Sequence, residues 1–155
     1  RDSLDDSQRA KWDGARDAYE ALIESERLRN KGAQTLNDAV LKAKAWLFVA
    51  YEELGHVYLK LAAKGENKAN YMQEAYTIFA NVVSKSEKDT EAWWRAKYLV
   101  IKILFEKGGQ NDFEMALMGI KDMRANYPNW DEDKFKMRDR WIEMEKSILD
   151  RAPKK

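Results

Sequence analysis

The chain contains no cysteine among its 155 residues. Disulfide bonds, thiolate nucleophiles and metal sites with cysteine ligands are therefore excluded. The compartment stays open, because reduced and exported proteins can both lack cysteine, although avoidance of mispaired thiols favours an exported or periplasmic chain. The single histidine, His56, excludes metal sites that need several imidazoles.

Long apolar runs and turn residues are also scarce. No stretch approaches the 18 or so consecutive apolar residues of a membrane-spanning helix, so the sequence predicts no direct membrane insertion. Only two prolines and seven glycines interrupt the chain, and no segment alternates apolar and polar residues over the length of a strand. The sequence begins at Arg1, which predicts a processed or excised segment and leaves a signal or anchor upstream open.

The charges show no excess of either sign, since 28 lysines and arginines face 27 aspartates and glutamates. The one mixture of cations and aromatics on a helix, around Arg95, Lys97 and Lys102, is interpreted as charged stems that reach outward from an apolar helix. No nucleic-acid partner is predicted. The acidic pairs are predicted to lie at helix starts, where negative charge is favourable, and on solvated faces. The sequence contains no glycine-rich phosphate loop. We therefore predict no enzyme activity, no cofactor and no metal site.

Helical periodicity dominates the apolar pattern of the chain. Apolar residues recur at steps of three and four almost throughout, which predicts an all-α fold of about six helices in one domain, residues 1–155. The segments are an N-terminal helix within 1–32, a first helix hairpin at 35–85, a second at 89–128 and a C-terminal capping helix at 131–150. Asp89 or Thr90 is predicted to open the fourth helix and Gly108 to end it, while Asn111 and Asp131 are predicted to open the fifth and sixth.

A repeated pattern runs through the two hairpins. Its first copy is Tyr51-x-x-Leu54-Gly55-x-x-Tyr58, followed by Ala75-x-x-x-Phe79. In the second copy, Trp93 stands 42 residues after the first aromatic, and Ala116 stands 41 residues after the first alanine. This pattern resembles the tetratricopeptide repeat, an α-hairpin of 34 residues. Each copy here is longer by seven or eight residues, and the second has Ala96 and Lys97 where the family has leucine and glycine.

The resemblance implies a right-handed α-solenoid of antiparallel hairpins. Small residues at the hairpin contacts let two backbones approach closely, so Ala75 and Ala116 would be contact points and Gly55 would admit a side chain of the neighbouring helix. In this family the first helix of each hairpin lines the concave, ligand-binding face. The residues implied for partner binding are Glu52, His56, Lys60, Trp94, Arg95, Tyr98, Ile101 and Lys102.

The function implied is that of a noncatalytic scaffold that binds a peptide or protein on its helical face. The alternative is a structural subunit that associates with itself through the apolar face of the fourth helix. That helix is apolar around almost its whole circumference, which a hairpin alone does not require. The sequence predicts that its extra face, with Trp94 and Tyr98, is covered either by the N-terminal helix or by a partner.

Overall fold

The fold is all-α in every part of the chain that the computed structural model describes, namely residues 13–14, 16–17, 20–21, 38–65 and 67–154. Side chains are described from residue 49 onward and at the isolated positions before residue 38. These residues contain no strand and five α-helices, against about six predicted. The helices are α1 (Asp38–Ala63), α2 (Lys68–Lys85), α3 (Glu91–Lys107), α4 (Gln110–Asn126) and α5 (Arg138–Arg151). The isolated positions between residues 13 and 21 are helical too, and the rest of the predicted first helix lies outside the described residues.

The chain divides into two compact units between Val82 and Val83. The first unit holds α1 and nearly all of α2, and the second holds α3, α4 and α5. Each unit supplies large buried apolar side chains, such as Phe79 in the first and Trp141 in the second. Burial of these side chains removes apolar surface from water and so stabilises each unit.

In the first unit, α1 and α2 pack closely where a glycine faces a large ring. A Cβ atom built on Gly55 would lie 2.6 Å from the ring of Phe79, so only glycine leaves room for that ring. Ala75 is fully buried on the same helix as Phe79. These contacts confirm the predicted close approach at Gly55. Nearer the turn between the helices, the rings of Tyr58 and Tyr71 lie 5.8 Å apart.

In the second unit, α3 and α4 meet along their length. Their contacts join residues at similar distances from the Gly108-Gly109 turn; the pairs are Lys107 with Asp112, Phe105 with Phe113, Ile101 with Gly119, and Trp93 with Tyr127. Here the glycine at the close contact, Gly119, is on the second helix of the pair. A Cβ atom built on it would lie 3.1 Å from the side chain of Ile101. Ala116 is fully buried.

Both predicted ends of α3 are confirmed. Thr90 precedes the helix in an extended conformation, and its hydroxyl oxygen accepts a hydrogen bond from the backbone N–H of Trp93 at 3.4 Å. Gly108 ends the helix with φ of +74°, a left-handed conformation that glycine adopts at low cost.

The predicted starts of the last two helices are wrong. The helix after Gly108 begins at Gln110, because Gly109 is already the extended residue that precedes it, so Asn111 lies inside the first turn. The final helix begins at Arg138 rather than at Asp131. Asp131 lies in a short left-handed turn, and the carboxylate of Asp133 accepts a hydrogen bond from the backbone N–H of Arg138 at 2.9 Å.

Candidate functional site

The residues predicted to contact a partner fall on α1 in the first unit and on α3 in the second. On α1, Glu52, His56 and Lys60 follow one another at intervals of four, which places them along one side of the helix. His56 and Lys60 are exposed and Glu52 is partly buried. The ring of His56 meets the ring of Phe79 edge to face at 5.2 Å, so packing against α2 fixes its position.

On α3, three of the predicted residues form a row that solvent reaches. Arg95 and Lys102 are exposed, and Tyr98 lies between them with part of its ring accessible. Arg95 forms an ion pair with Glu91 at 3.0 Å, one turn earlier on the helix. Lys102 lies 3.9 Å from a carboxylate one turn later. Exposed pairs of this spacing contribute only about 0.3 to 0.5 kcal/mol each.

Trp94 and Ile101, which were predicted to bind a partner, lie inside the second unit. They are only 2% and 3% exposed. The indole N–H of Trp94 donates a hydrogen bond to the carboxylate of Asp89 at 3.3 Å, and its ring lies edge to face against Tyr127 at 4.8 Å. A partner therefore cannot reach these two side chains without a rearrangement of the unit.

The cover over this face of α3 is α5. Trp141 of α5 is fully buried, and its ring lies 5.8 Å from that of Trp94 and 5.4 Å from that of Tyr98, edge to face in both pairs. At the other end, the guanidinium of Arg151 lies over the ring of Phe105 at 5.2 Å. The sequence had offered the N-terminal helix or a partner as the cover, and it did not consider the last helix.

The described N-terminal positions belong to the first unit and contact α1 and α2 there. The guanidinium of Arg16 donates a hydrogen bond to the hydroxyl of Tyr71 at 3.1 Å. The hydroxyl of Tyr58 donates a hydrogen bond to the carboxylate of Glu20. Burial and this hydrogen bond raise the pKa of Tyr58 above its usual range.

Arg124 connects α4, the following turn and α5, and sequence reasoning missed it. Its guanidinium donates to the carbonyl of Pro128 at 2.8 Å and pairs with both carboxylate oxygens of Glu145, at 3.1 and 3.0 Å. It also lies 5.0 Å from the ring centroid of Trp130. Nothing in the spacing of the sequence distinguishes this arginine from the other exposed cations, because all of its partners come from other elements or from the turn.

Asp89 is a second residue whose role sequence reasoning missed. It was considered only as a possible helix start, whereas its carboxylate accepts hydrogen bonds from the indole of Trp94 and the hydroxyl of Tyr127. Burial and the Asp89 hydrogen bond raise the pKa of Tyr127. Burial also raises the pKa of Tyr98, against the opposing effect of Arg140.

The connection between α4 and α5 has an unusual backbone. Trp130, Asp131, Glu132 and Asp133 all have positive φ, between 48° and 62°, and Lys136 has φ of 57°. None of these five residues is glycine, and a left-handed conformation costs such residues about 1 to 2 kcal/mol each. The turn is held because Trp130 is 3% exposed and stacks on Trp141, with ring centroids 5.2 Å apart.

Two concave regions lie in the second unit. A shallow groove between α4 and α5 is lined by Ile120, Lys121, Arg124, Ala125, Glu145 and Leu149. A polar hollow beside the left-handed turn is lined by Asn126, Tyr127, Pro128, Asn129, Asp131 and Glu132. Within the described ranges, no group of three or more histidine, aspartate or glutamate side chains is arranged to hold a metal ion. Among the same residues, no helix is both long enough and apolar enough to cross a membrane.

Comparison with known proteins adds no family to these observations. No protein-family model, no curated protein and no solved structure matches the chain.

Proposed function

We propose that this chain is a noncatalytic protein–protein interaction scaffold, built as a tetratricopeptide-like stack of antiparallel helix hairpins. The observation that carries the proposal is the glycine contact repeated in each unit. Gly55 of α1 admits Phe79 of α2, and Gly119 of α4 admits Ile101 of α3. In the second unit the glycine lies on the second helix of the pair instead of the first, so the close approach recurs there although the position of the glycine does not.

The order of contacts supports the antiparallel part of the proposal. The pairs between α3 and α4 step away from the Gly108-Gly109 turn on both helices together, as in a hairpin. α5 then lies beside α3 with both helices in the same direction, because Trp141 meets Trp94 at one end and Arg151 meets Phe105 at the other. A third helix placed in this way fits a solenoid in which each added element packs on the preceding pair.

The partner surface in this proposal consists of the predicted residues that solvent reaches. They form two separate rows, one in each unit: Glu52, His56 and Lys60 on α1 of the first unit, and Arg95, Tyr98 and Lys102 on α3 of the second. An exposed row of cations with a tyrosine between them suits a peptide or protein that supplies carboxylates and one apolar side chain.

The test is affinity capture with the intact chain, with the bound proteins identified by mass spectrometry. The variant Arg95→Glu/Lys102→Glu should lose the specific partner while circular dichroism shows unchanged helix content. The matched control Lys121→Glu/Lys146→Glu reverses two exposed cations of the second unit outside the proposed surface and should retain the partner. Equal capture by both variants would overturn the proposed surface.

One observation favours self-association as the second candidate function. Four large apolar side chains of the second unit are 44% to 60% exposed: Met115 and Met118 on α4, and Ile142 and Leu149 on α5. An exposed apolar side chain leaves water when a second copy covers it, which favours association. Molecular mass measured by sedimentation equilibrium across a hundredfold dilution decides the matter, since a monomer at every concentration removes this candidate.

A further inference from the structure

α5 is docked on α3 in the way that a helical ligand docks in a groove. Trp141 inserts against Trp94 and Tyr98, and Met144 and Ile148 continue the buried stripe at intervals of three and four. Ile142 and Leu149, each one position after a buried residue of this stripe, are half exposed. An amphipathic helix with anchors at this spacing is a common form of helix-in-groove recognition.

The chain segment that leads into α5 is strained. Four successive residues from Trp130 to Asp133 and then Lys136 have left-handed backbone angles without being glycine. Such angles persist only where packing holds them, and they cluster in segments that switch between arrangements. Release of α5 would let all five residues return to ordinary backbone angles.

Two polar groups in the docked arrangement also favour release. The indole N–H groups of Trp130 and Trp141 are buried, and neither meets an acceptor in the part of the chain that the structure describes. A buried donor without an acceptor is destabilising relative to one that water reaches. Packing thus holds α5 in place against the backbone strain and these two donors.

We propose that α5 is an autoinhibitory helix, which releases from α3 and α4 and thereby uncovers Trp94 and Tyr98 for an amphipathic helix of a partner. The partner helix has the chemistry of the one that it replaces. It carries an aromatic residue, apolar residues three and seven positions later, and a carboxylate four positions after the aromatic, which Arg124 binds as it binds Glu145. The choice of partner rests on the proposed scaffold function, whereas the release of α5 does not.

The direct test uses the chain's own helix as the probe. A fluorescent peptide of residues 137–152 is titrated with the full-length protein, and binding is followed by anisotropy. The wild type should bind it weakly, because its tethered α5 competes at a high effective concentration. The variant Trp141→Ala should bind it at least about tenfold more tightly, because the tethered competitor has lost its anchor.

Two controls accompany this titration. The variant Ile142→Ala, changed on the outer face of α5, should bind the peptide as the wild type does. A peptide that carries Trp141→Ala should not bind the Trp141→Ala protein. Equal binding of the unmodified peptide to the wild type and the Trp141→Ala protein would overturn the proposal.

A second measurement covers the case in which Trp141→Ala disturbs folding. Native-state hydrogen exchange of the wild type should show α5 opening while α3 and α4 stay protected. Glu132→Gly relieves one left-handed residue with φ of 55° and should slow exchange in α5 roughly fivefold. The matched control Lys134→Gly, at φ of −49°, relieves no strain and should not slow it.

The outcomes separate the two proposals. If α5 exchanges no faster than α3 and Glu132→Gly leaves it unchanged, the autoinhibitory role is wrong, and the exposed rows on α1 and α3 are unaffected by that result. If α5 opens and accepts the peptide, but charge reversal at Arg95 and Lys102 does not alter capture of any protein, the proposed scaffold surface is wrong while the release of α5 stands.

Discussion

At the scale of single residues, the absence of a side chain at Gly55 sets how closely α1 and α2 approach. An added Cβ atom would lie 2.6 and 2.9 Å from two atoms of the Phe79 ring, which is 1% exposed and cannot move aside. We expect Gly55→Ala to lower the free energy of unfolding by about 1 to 3 kcal/mol. Gly14→Ala is the control, because a Cβ atom there meets no atom of the described residues within 4 Å; equal effects of the two substitutions in urea unfolding would contradict the close contact.

The alanines at the same relative place in the two units test whether both contacts are tight. Ala75 and Ala116 are fully buried. Replacement of either by leucine should overpack the helix contact and lower the free energy of unfolding by about 1 to 3 kcal/mol. Ala125→Leu, at an exposed position of α4, provides the matched control and should change stability by less than about 0.5 kcal/mol. A neutral Ala75→Leu in denaturant unfolding would remove the main support for the repeat alignment.

At the scale of elements, Thr90 gives α3 a defined start. Its hydroxyl oxygen accepts the Trp93 N–H, a donor that otherwise has no partner within the helix. Thr90→Ala should lower the free energy of unfolding by about 0.5 to 2 kcal/mol, and Thr90→Ser should retain most of that stability because it keeps the hydroxyl. Thermal or urea unfolding of the two variants measures the difference, and similar losses for serine and alanine would show that the cap contributes nothing.

The helices themselves could be predicted from the sequence because their signals are local. The apolar periodicity, the Thr90 cap and the left-handed Gly108 all act within one or two turns. The start of α5 could not be found in this way, since Asp131 has the composition of a helix start but lies in a left-handed turn. That turn is held by the stacking of Trp130 on Trp141, and such contacts between elements leave no periodic signal.

The candidate site was predictable only in part for the same reason. A helix that is apolar around its circumference indicates that something covers its second face. For α3 this face is covered, by α5. The pattern carries no information about which element covers it, so Trp94 was assigned to a partner although α5 buries it. The exposed row of Arg95 and Lys102 could be predicted from helical spacing alone, and both side chains are accessible to solvent.

At the scale of the whole molecule, three tyrosines link stability to alkaline pH in both units. Burial raises the pKa of Tyr58, Tyr98 and Tyr127, and hydrogen bonds to Glu20 and Asp89 add to the effect for the first and the last. An unfolded tyrosine ionises near pH 10. Since the folded chain keeps these hydroxyls protonated to higher pH, the unfolded chain binds fewer protons above about pH 10, and stability falls there.

Between pH 7 and 9 these tyrosines are protonated in both the folded and the unfolded chain. We therefore expect them to cause no change in the free energy of unfolding in urea over that range. Above about pH 10 it should decrease by at most about 1.4 kcal/mol per pH unit for each of the three groups. Tyr58→Phe and Tyr127→Phe should each make this decline shallower, because each removes one group that ionises preferentially in the unfolded chain. If the decline above pH 10 is as steep in the Tyr58→Phe/Tyr127→Phe double variant as in the wild type, the protonated hydroxyls at Glu20 and Asp89 do not stabilise the folded chain.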